Sequence, residues 1–169
     1  KNLGALLEAF GALKEDFPAL KLVLVGKKGW LYQPFFDQLA RSGLEPDVLF
    51  PGYVAEDDLP ALYQLATVFA FPSLYEGFGL PPLEAMSCGV PVVANNASSL
   101  PEILGDAALL VPPTDTTALA AALRRLLHDP ELRRDLRQRG LKQATRFSWQ
   151  KAARETITVY ETLGKRSHA

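Results

Sequence analysis

Glu76 and Glu84 stand with seven residues between them, and the joining segment opens Gly77-Phe78-Gly79-Leu80-Pro81-Pro82. Glycines on either side of Phe78 let the backbone approach a ligand closely. Prolines in the first turn of a helix waste no N–H, because amides there have no intrahelical partner. Free amides and the helix dipole make an anion site, and a pyrophosphate is its natural guest. A carboxylate belongs beside such a guest only if it addresses something neutral. Paired hydroxyls fit, as in ribose recognition by the acidic residue of dinucleotide folds. One glutamate is therefore expected to read a ribose and the other a sugar. Plainer roles stay open: Glu84 as a first-turn glutamate facing the dipole or closing a capping box, and Glu76 as a solvated loop residue. A Gly-x-Gly turn alone does not choose between them, since many strand-to-helix loops contain one.

The elements around this loop alternate. Leu3, Leu6, Leu7, Phe10, Leu13 and Phe17 recur at helical spacing, with Pro18 ending the run. Leu22 to Val25 is an unbroken apolar run of the kind expected in a strand buried on both faces. A helix is predicted over Tyr32 to Ser42, a strand over Val48 to Phe50, and a helix from Asp57 or Asp58 through Ala66. Strands follow at Val68 to Phe71, Pro91 to Ala94 and Ala108 to Val111, with helices at Pro81 to Ser87 and Leu100 to Leu104. After Pro112-Pro113 the rest reads as helix: about Thr116 to Leu127, Glu131 to Thr145 and Trp149 to Leu163, with Lys165 to Ala169 a frayed tail. Such alternation implies an α/β fold, a Rossmann-like parallel sheet flanked by helices, with a helical C-terminal region. Ligands of these sheets bind outside the carboxyl ends of the strands. The loops after Val25, Phe50, Phe71 and Ala94 are therefore the places to look.

Bulk properties narrow the classes. The chain has 169 residues, 48 % apolar and 22 % charged, which suits one globular domain. A net charge of −1 leaves no basic footprint for nucleic acid or an anionic membrane. No apolar run approaches the ~18 residues of a membrane span. Cys88 is the only cysteine, so no internal disulfide framework is expected; it reads as a small buried hydrophobe. The chain opens on Lys1-Asn2-Leu3 without an initiator methionine and is expected to be an excised fragment.

The motifs resemble the family 4 glycosyltransferases of GT-B fold. Glu76 and Glu84 look like that family's E-x7-E pair, and Tyr75-Glu76-Gly77-Phe78-Gly79-Leu80-Pro81, Leu83-Glu84-Ala85-Met86 and Cys88-Gly89-Val90-Pro91-Val92-Val93 extend the match. So do Ser98-Ser99-Leu100-Pro101-Glu102, Gly105-Asp106-Ala107-Ala108, and Lys1-Asn2-Leu3 and Phe147-Ser148-Trp149 near the two ends. The resemblance implies the C-terminal, donor-binding domain of a retaining transferase, residues 1–169 lacking the first strand and an N-terminal acceptor domain. Glu76 would contact hydroxyls of the transferred sugar, and Lys1 the diphosphate whose departure must be stabilised; these are the implied catalytic groups. Glu84 would bind the ribose, and the amides of Phe78, Gly79 and Leu80 the pyrophosphate. The nucleobase would sit near Gly52, Tyr53 and Val54, with Gly26 and Lys27 on the same rim.

Further consequences of the resemblance concern the reaction and its setting. Transfer in this family is usually drawn as a front-face displacement without a protein nucleophile. No metal or other cofactor is implied: no D-x-D motif appears, and Glu56-Asp57-Asp58, the nearest spacing, reads as a helix cap. The substrate would be a GDP- or UDP-linked sugar of mannose or glucose type, with GDP-mannose slightly favoured, and the acceptor a glycan or lipid. The fragment alone is expected to be inactive. The family setting is cytoplasmic, with room for peripheral association at the inner membrane face, and its business polysaccharide biosynthesis. In the family the last helix commonly crosses onto the other domain, so in this chain Trp149 to Leu163 is expected either to expose an apolar face or to pack elsewhere. Two other readings compete: a non-catalytic nucleotide-sugar-binding module of the same fold, and a GT-B phosphorylase or epimerase; the resemblance implies a pyridoxal phosphate lysine for the former, of which none is evident, and epimerases do not usually present the Glu76-to-Pro81 run.

Overall fold

A computed structural model describes residues 1–26 and 33–166. Helix α1 (Leu3–Leu13) leads into β1 (Leu22–Val25), α2 (Gln33–Ser42) and β2 (Val48–Gly52). Then come α3 (Leu59–Leu65), β3 (Phe69–Phe71), α4 (Leu80–Ser87), β4 (Val92–Asn95), α5 (Leu100–Leu104) and β5 (Ala108–Val111). Helices α6 (Thr116–His128), α7 (Pro130–Ala144) and α8 (Trp149–Arg166) complete the chain. The expected alternation holds, and the ladders are parallel throughout. Lys27, which the sequence placed on the ligand rim, lies outside the described residues, as do Lys28 and Trp30.

Strand β4 is the pivot. It lies between β3 and β5 and is buried at all four positions. Successive strand residues point to opposite faces, and Val92 and Ala94 pack with Leu83, Met86, Leu100, Ile103 and Leu104 of α4 and α5. Val93 points the other way, into Leu6, Ala9 and Leu13 of α1 and Leu119, Leu123 and Leu126 of α6. The loops that leave the carboxyl ends of β3 and β4 are thus mounted on a strand clamped from both sides. Helix α7 closes against α4 where Gly140 faces Met86, so closely that a Cβ on Gly140 would stand 3.2 Å from Met86 Cγ.

Three expectations need correction. The ladders form two sheets, β1-β2 and β3-β4-β5, rather than one. What joins them is side-chain packing, with Leu22 and Leu24 sharing a core cluster with Val68 and Ala70. Second, β1 is not buried on both faces: Val23 and Val25 are 43 % and 44 % exposed. Leu22 and Leu24 point into the face that α1 and α2 both cover, around Leu7, Phe10, Phe35 and Leu39. No described helix covers the opposite face. Third, α1 ends at Leu13, four residues before the periodicity does, because Lys14 N–H bonds the Gly11 carbonyl and tightens the last turn. Lys14 and Lys21 then both pair with Asp47 at 2.8 and 2.6 Å, tying the end of α1 to the approach to β2. Those hydrogen bonds hold the Asp47 carboxyl below its ordinary range.

Cys88 is half-buried against the α4 and α5 core cluster, not fully buried. Along α8, Trp149, Ile157 and Tyr160 are exposed, Trp149 by 78 %, so the exposed apolar face, one of the two outcomes expected there, is present. No helix of the described residues is long and apolar enough to cross a membrane.

Candidate functional site

The segment between β3 and α4 is held by its carbonyl oxygens. Asn95, at the end of β4 and 2 % exposed, donates through Nδ2 to the carbonyls of Pro72 (2.7 Å), Ser73 (3.2 Å) and Pro113 (3.4 Å). Ser98 Oγ donates to the Glu76 carbonyl at 2.5 Å. Ser99 Oγ reaches the Glu76 and Phe78 carbonyls at 3.0 and 2.7 Å. Carbonyls tied back in this way turn the peptide units so that their N–H groups face away from the scaffold. Gly79 then caps α4 at φ 120°, ψ 46°, and Leu80 opens the helix. The first amides of a helix have no intrahelical acceptor, and Pro81 and Pro82 carry none. Of the three amides named from the sequence, those of Gly79 and Leu80 thus fall at the positive end of α4, the setting in which anions bind, whereas the Phe78 N–H shares its peptide with the Gly77 carbonyl, which none of these bonds ties.

Lys1 and Glu76, 75 positions apart, meet at this loop as an ion pair between Lys1 Nζ and Glu76 Oε1. Lys1 Nζ also stands over the Phe71 ring, 4.9 Å from its centroid, a cation–π placement. The Glu76 side chain is 17 % exposed. Burial pushes its carboxyl up, but hydrogen bonds from Lys1 and Ser73 and the Lys1 charge outweigh that and hold it below the ordinary value. Glu76 is therefore an ionised acceptor at neutral pH, not a solvated loop residue.

Glu84 lies in the second turn of α4, not the first, because the helix starts at Leu80. That removes the capping reading, and the side chain is exposed. Tyr63 Oη, on α3, donates to Glu84 Oε2 at 3.1 Å. Burial, and secondarily the Glu84 charge, push the Tyr63 phenol well above its ordinary range, so it stays a donor.

The remaining rim residues form a second group. Gly26 N–H donates to the Gly52 carbonyl at 2.9 Å, so these two meet at the carboxyl ends of β1 and β2. Tyr53 and Val54 follow directly, Tyr53 with its ring exposed. Asp58 holds the cap position of α3 without a side-chain cap bond. Among the described residues no group of three or more His, Cys, Asp or Glu side chains is arranged to hold a metal ion. His128 packs its ring on Phe17, centroid to centroid 4.6 Å, at the end of α6.

Sequence reasoning missed the parts that Asn95, Ser98, Ser99 and Tyr63 take, quoting Ser98 and Ser99 only within a motif. A signal existed for the first three: short polar residues directly after an apolar strand sit where ligands of α/β sheets bind. Tyr63 carried none, since a tyrosine on an apolar helix face reads as packing.

The parallel α/β layer brings a lysine and two glutamates to the loop and helix that follow β3. The family model of the glycosyl transferases group 1 matches residues 1–143, and the chain belongs to that family. It is 44 % identical over 164 residues to the O-antigen chain mannosyltransferase B of Escherichia coli, covering 96 % of this chain and 43 % of that protein. Among solved structures it is similar to sucrose-phosphate synthase from Thermosynechococcus elongatus, at TM-score 0.82 and 33 % identity over 94 % of this chain and 42 % of that one. Anabaena Alr3699/HepE in complex with UDP is similar at TM-score 0.82 and 27 % identity, over 98 % and 45 %. The chain thus spans less than half the length of these relatives. Its fold is that of the C-terminal domains of GT-B glycosyltransferases.

Proposed function

We propose that this chain is the donor-binding domain of a retaining, family 4 type hexosyltransferase. It would act with an acceptor-binding domain, on a nucleotide diphosphate sugar of mannose or glucose type, toward a glycan or lipid acceptor in polysaccharide biosynthesis. The observation that carries this reading is the helix start between two carboxylates, with Lys1 held on one of them. Mannosyltransferases among the relatives and UDP in a similar structure support the donor class.

The residues divide the work by charge. Amides at Phe78 to Leu80 and the α4 dipole take the diphosphate, and Lys1 adds the point charge that a departing diphosphate needs. Without donor, Lys1 neutralises Glu76. An arriving diphosphate competes for that ammonium and frees Glu76 to accept hydroxyls of the sugar. Glu84 accepts from the ribose, and Gly52 to Val54 with Gly26 frame the base. No metal is required in this scheme, because amides and a lysine carry the positive potential. The setting proposed is the cytoplasm, at the inner membrane face for the acceptor.

Calorimetric titration of the chain with GDP, UDP and ADP tests the reading, repeated on Glu84→Ala. One nucleotide should bind selectively, and the substitution should weaken it by about 1–3 kcal/mol, the scale of a lost hydrogen bond whose partner is left unsatisfied. Binding that is indifferent to both base and Glu84 would sink it.

A further inference from the structure

We propose that Tyr63 is a positioning residue that holds the Glu84 carboxylate in the rotamer that receives ribose hydroxyls; the proposal rests on the ribose reading of Glu84. Glu84 is exposed on α4 and, as a glutamate, has three side-chain torsions to fix before it can present an oxygen. Only one protein side chain among the described residues donates to it, the Tyr63 hydroxyl at 3.1 Å on Oε2. That leaves Oε1, and a second lone pair of Oε2, to accept from a ligand.

The donor itself is anchored. The Tyr63 ring meets Phe69 edge-on at 5.4 Å and 75°. Phe69 lies nearly parallel to Phe71 at 6.0 Å and 21°. Phe71 is the ring beneath Lys1. The Tyr63 body thus belongs to the aromatic side of the α4 and α5 core, and only its hydroxyl reaches out to Glu84. Main-chain contacts fix the other end of the pair: Cys88 N–H bonds the Glu84 carbonyl at 3.0 Å and Ser87 Oγ bonds it at 2.7 Å. A flexible acidic side chain is therefore held from α3 at its tip and from α4 at its root. Ordering of this kind lowers the entropic cost of recognition without adding a contact to the ligand. It predicts a signature that packing alone does not: loss confined to ligands that carry ribose hydroxyls.

The test is calorimetric titration of the chain with GDP and UDP and with their 2′,3′-dideoxy counterparts, for the unaltered chain, Tyr63→Phe, Glu84→Ala and the double variant. Phenylalanine keeps the ring on Phe69, and thermal melts of all four verify the fold. The ribose form is expected to bind the unaltered chain about tenfold more tightly than the dideoxy form. In Tyr63→Phe that preference should fall to about threefold or less, with dideoxy affinity unchanged. Adding Tyr63→Phe to Glu84→Ala should change nothing further, because the two act through one carboxylate. A preference untouched by Tyr63→Phe, or an equal loss for both ligand forms, overturns the proposal while leaving the Glu84 reading in place. A ribose preference that survives Glu84→Ala, or is lacking in the unaltered chain, overturns the Glu84 reading and the proposal together.

Discussion

Asn95→Ala is expected to destabilise the chain by about 2–4 kcal/mol and to weaken nucleoside diphosphate binding in the same step. The side chain is buried and its Nδ2 serves three carbonyls, of Pro72, Ser73 and Pro113. With two hydrogens to give, Asn95 makes about two full bonds at a time. Removing them leaves buried acceptors without donors, at about 1–3 kcal/mol each. The second consequence concerns the ligand loop. Pro72 and Ser73 begin the segment that carries Glu76 and Gly79, so releasing their carbonyls loosens the loop proposed to take the diphosphate. Urea denaturation measures the first effect and titration with GDP or UDP the second. Asn95→Asp sharpens the test. It nearly preserves shape but aims a carboxylate, which only accepts when ionised, at carbonyl oxygens. It should be at least as destabilising as the alanine variant, and more so as pH rises and the acid ionises. An aspartate variant as stable as the parent would mean that Asn95 only fills space.

Gly79→Val should lower stability by about 3 kcal/mol or more, whereas Gly77→Ala should leave it within about 0.5 kcal/mol. The two glycines look equivalent in sequence, one on each side of Phe78. Gly79 has φ 120° and ψ 46°, and a Cβ there would stand 2.9 Å from Leu100 Cδ2, under any normal carbon–carbon contact. Valine would meet both the backbone strain, about 1–3 kcal/mol, and an overpacked neighbour in a core that is fully buried at Leu100. Gly77 has no atom within 4 Å of its would-be Cβ and no positive φ. Its fold needs no glycine. A Gly77→Ala chain that melts like the parent yet binds nucleotide less well would locate the ligand against that residue. Equal melts for Gly79→Val and the parent would refute the role of Gly79 as the conformational hinge between the loop and α4.

Much of this architecture could be read in advance, for a local reason. Apolar spacing decides helix or strand within a window of a few residues, and α5 and β5 begin and end where the periodicity placed them. Prolines and glycines at 79, 81 and 82 announce the start of α4 in the same way. Glu76 and Glu84 drew attention in the sequence because acids flanking a glycine-rich helix start need a reason.

What tertiary structure alone decided is which distant groups meet. Tyr63 reaches Glu84 across 21 positions, Asn95 reaches Pro72 across 23, and Lys1 reaches Glu76 across 75. None of these pairings leaves a trace in local periodicity, because each depends on how α3 and the chain leading into α1 pack beside the sheets and on where β4 ends. The exposed face of β1 was unpredictable for a related reason. An apolar run records that a strand tolerates burial, but only the placement of α1 and α2 on one side determines which of its faces is covered. The sequence of this chain therefore determines its elements and the residue types of its site. The arrangement of that loop, with its carbonyls tied to Asn95, Ser98 and Ser99 and Glu76 paired with Lys1, arises from side chains brought together by the fold.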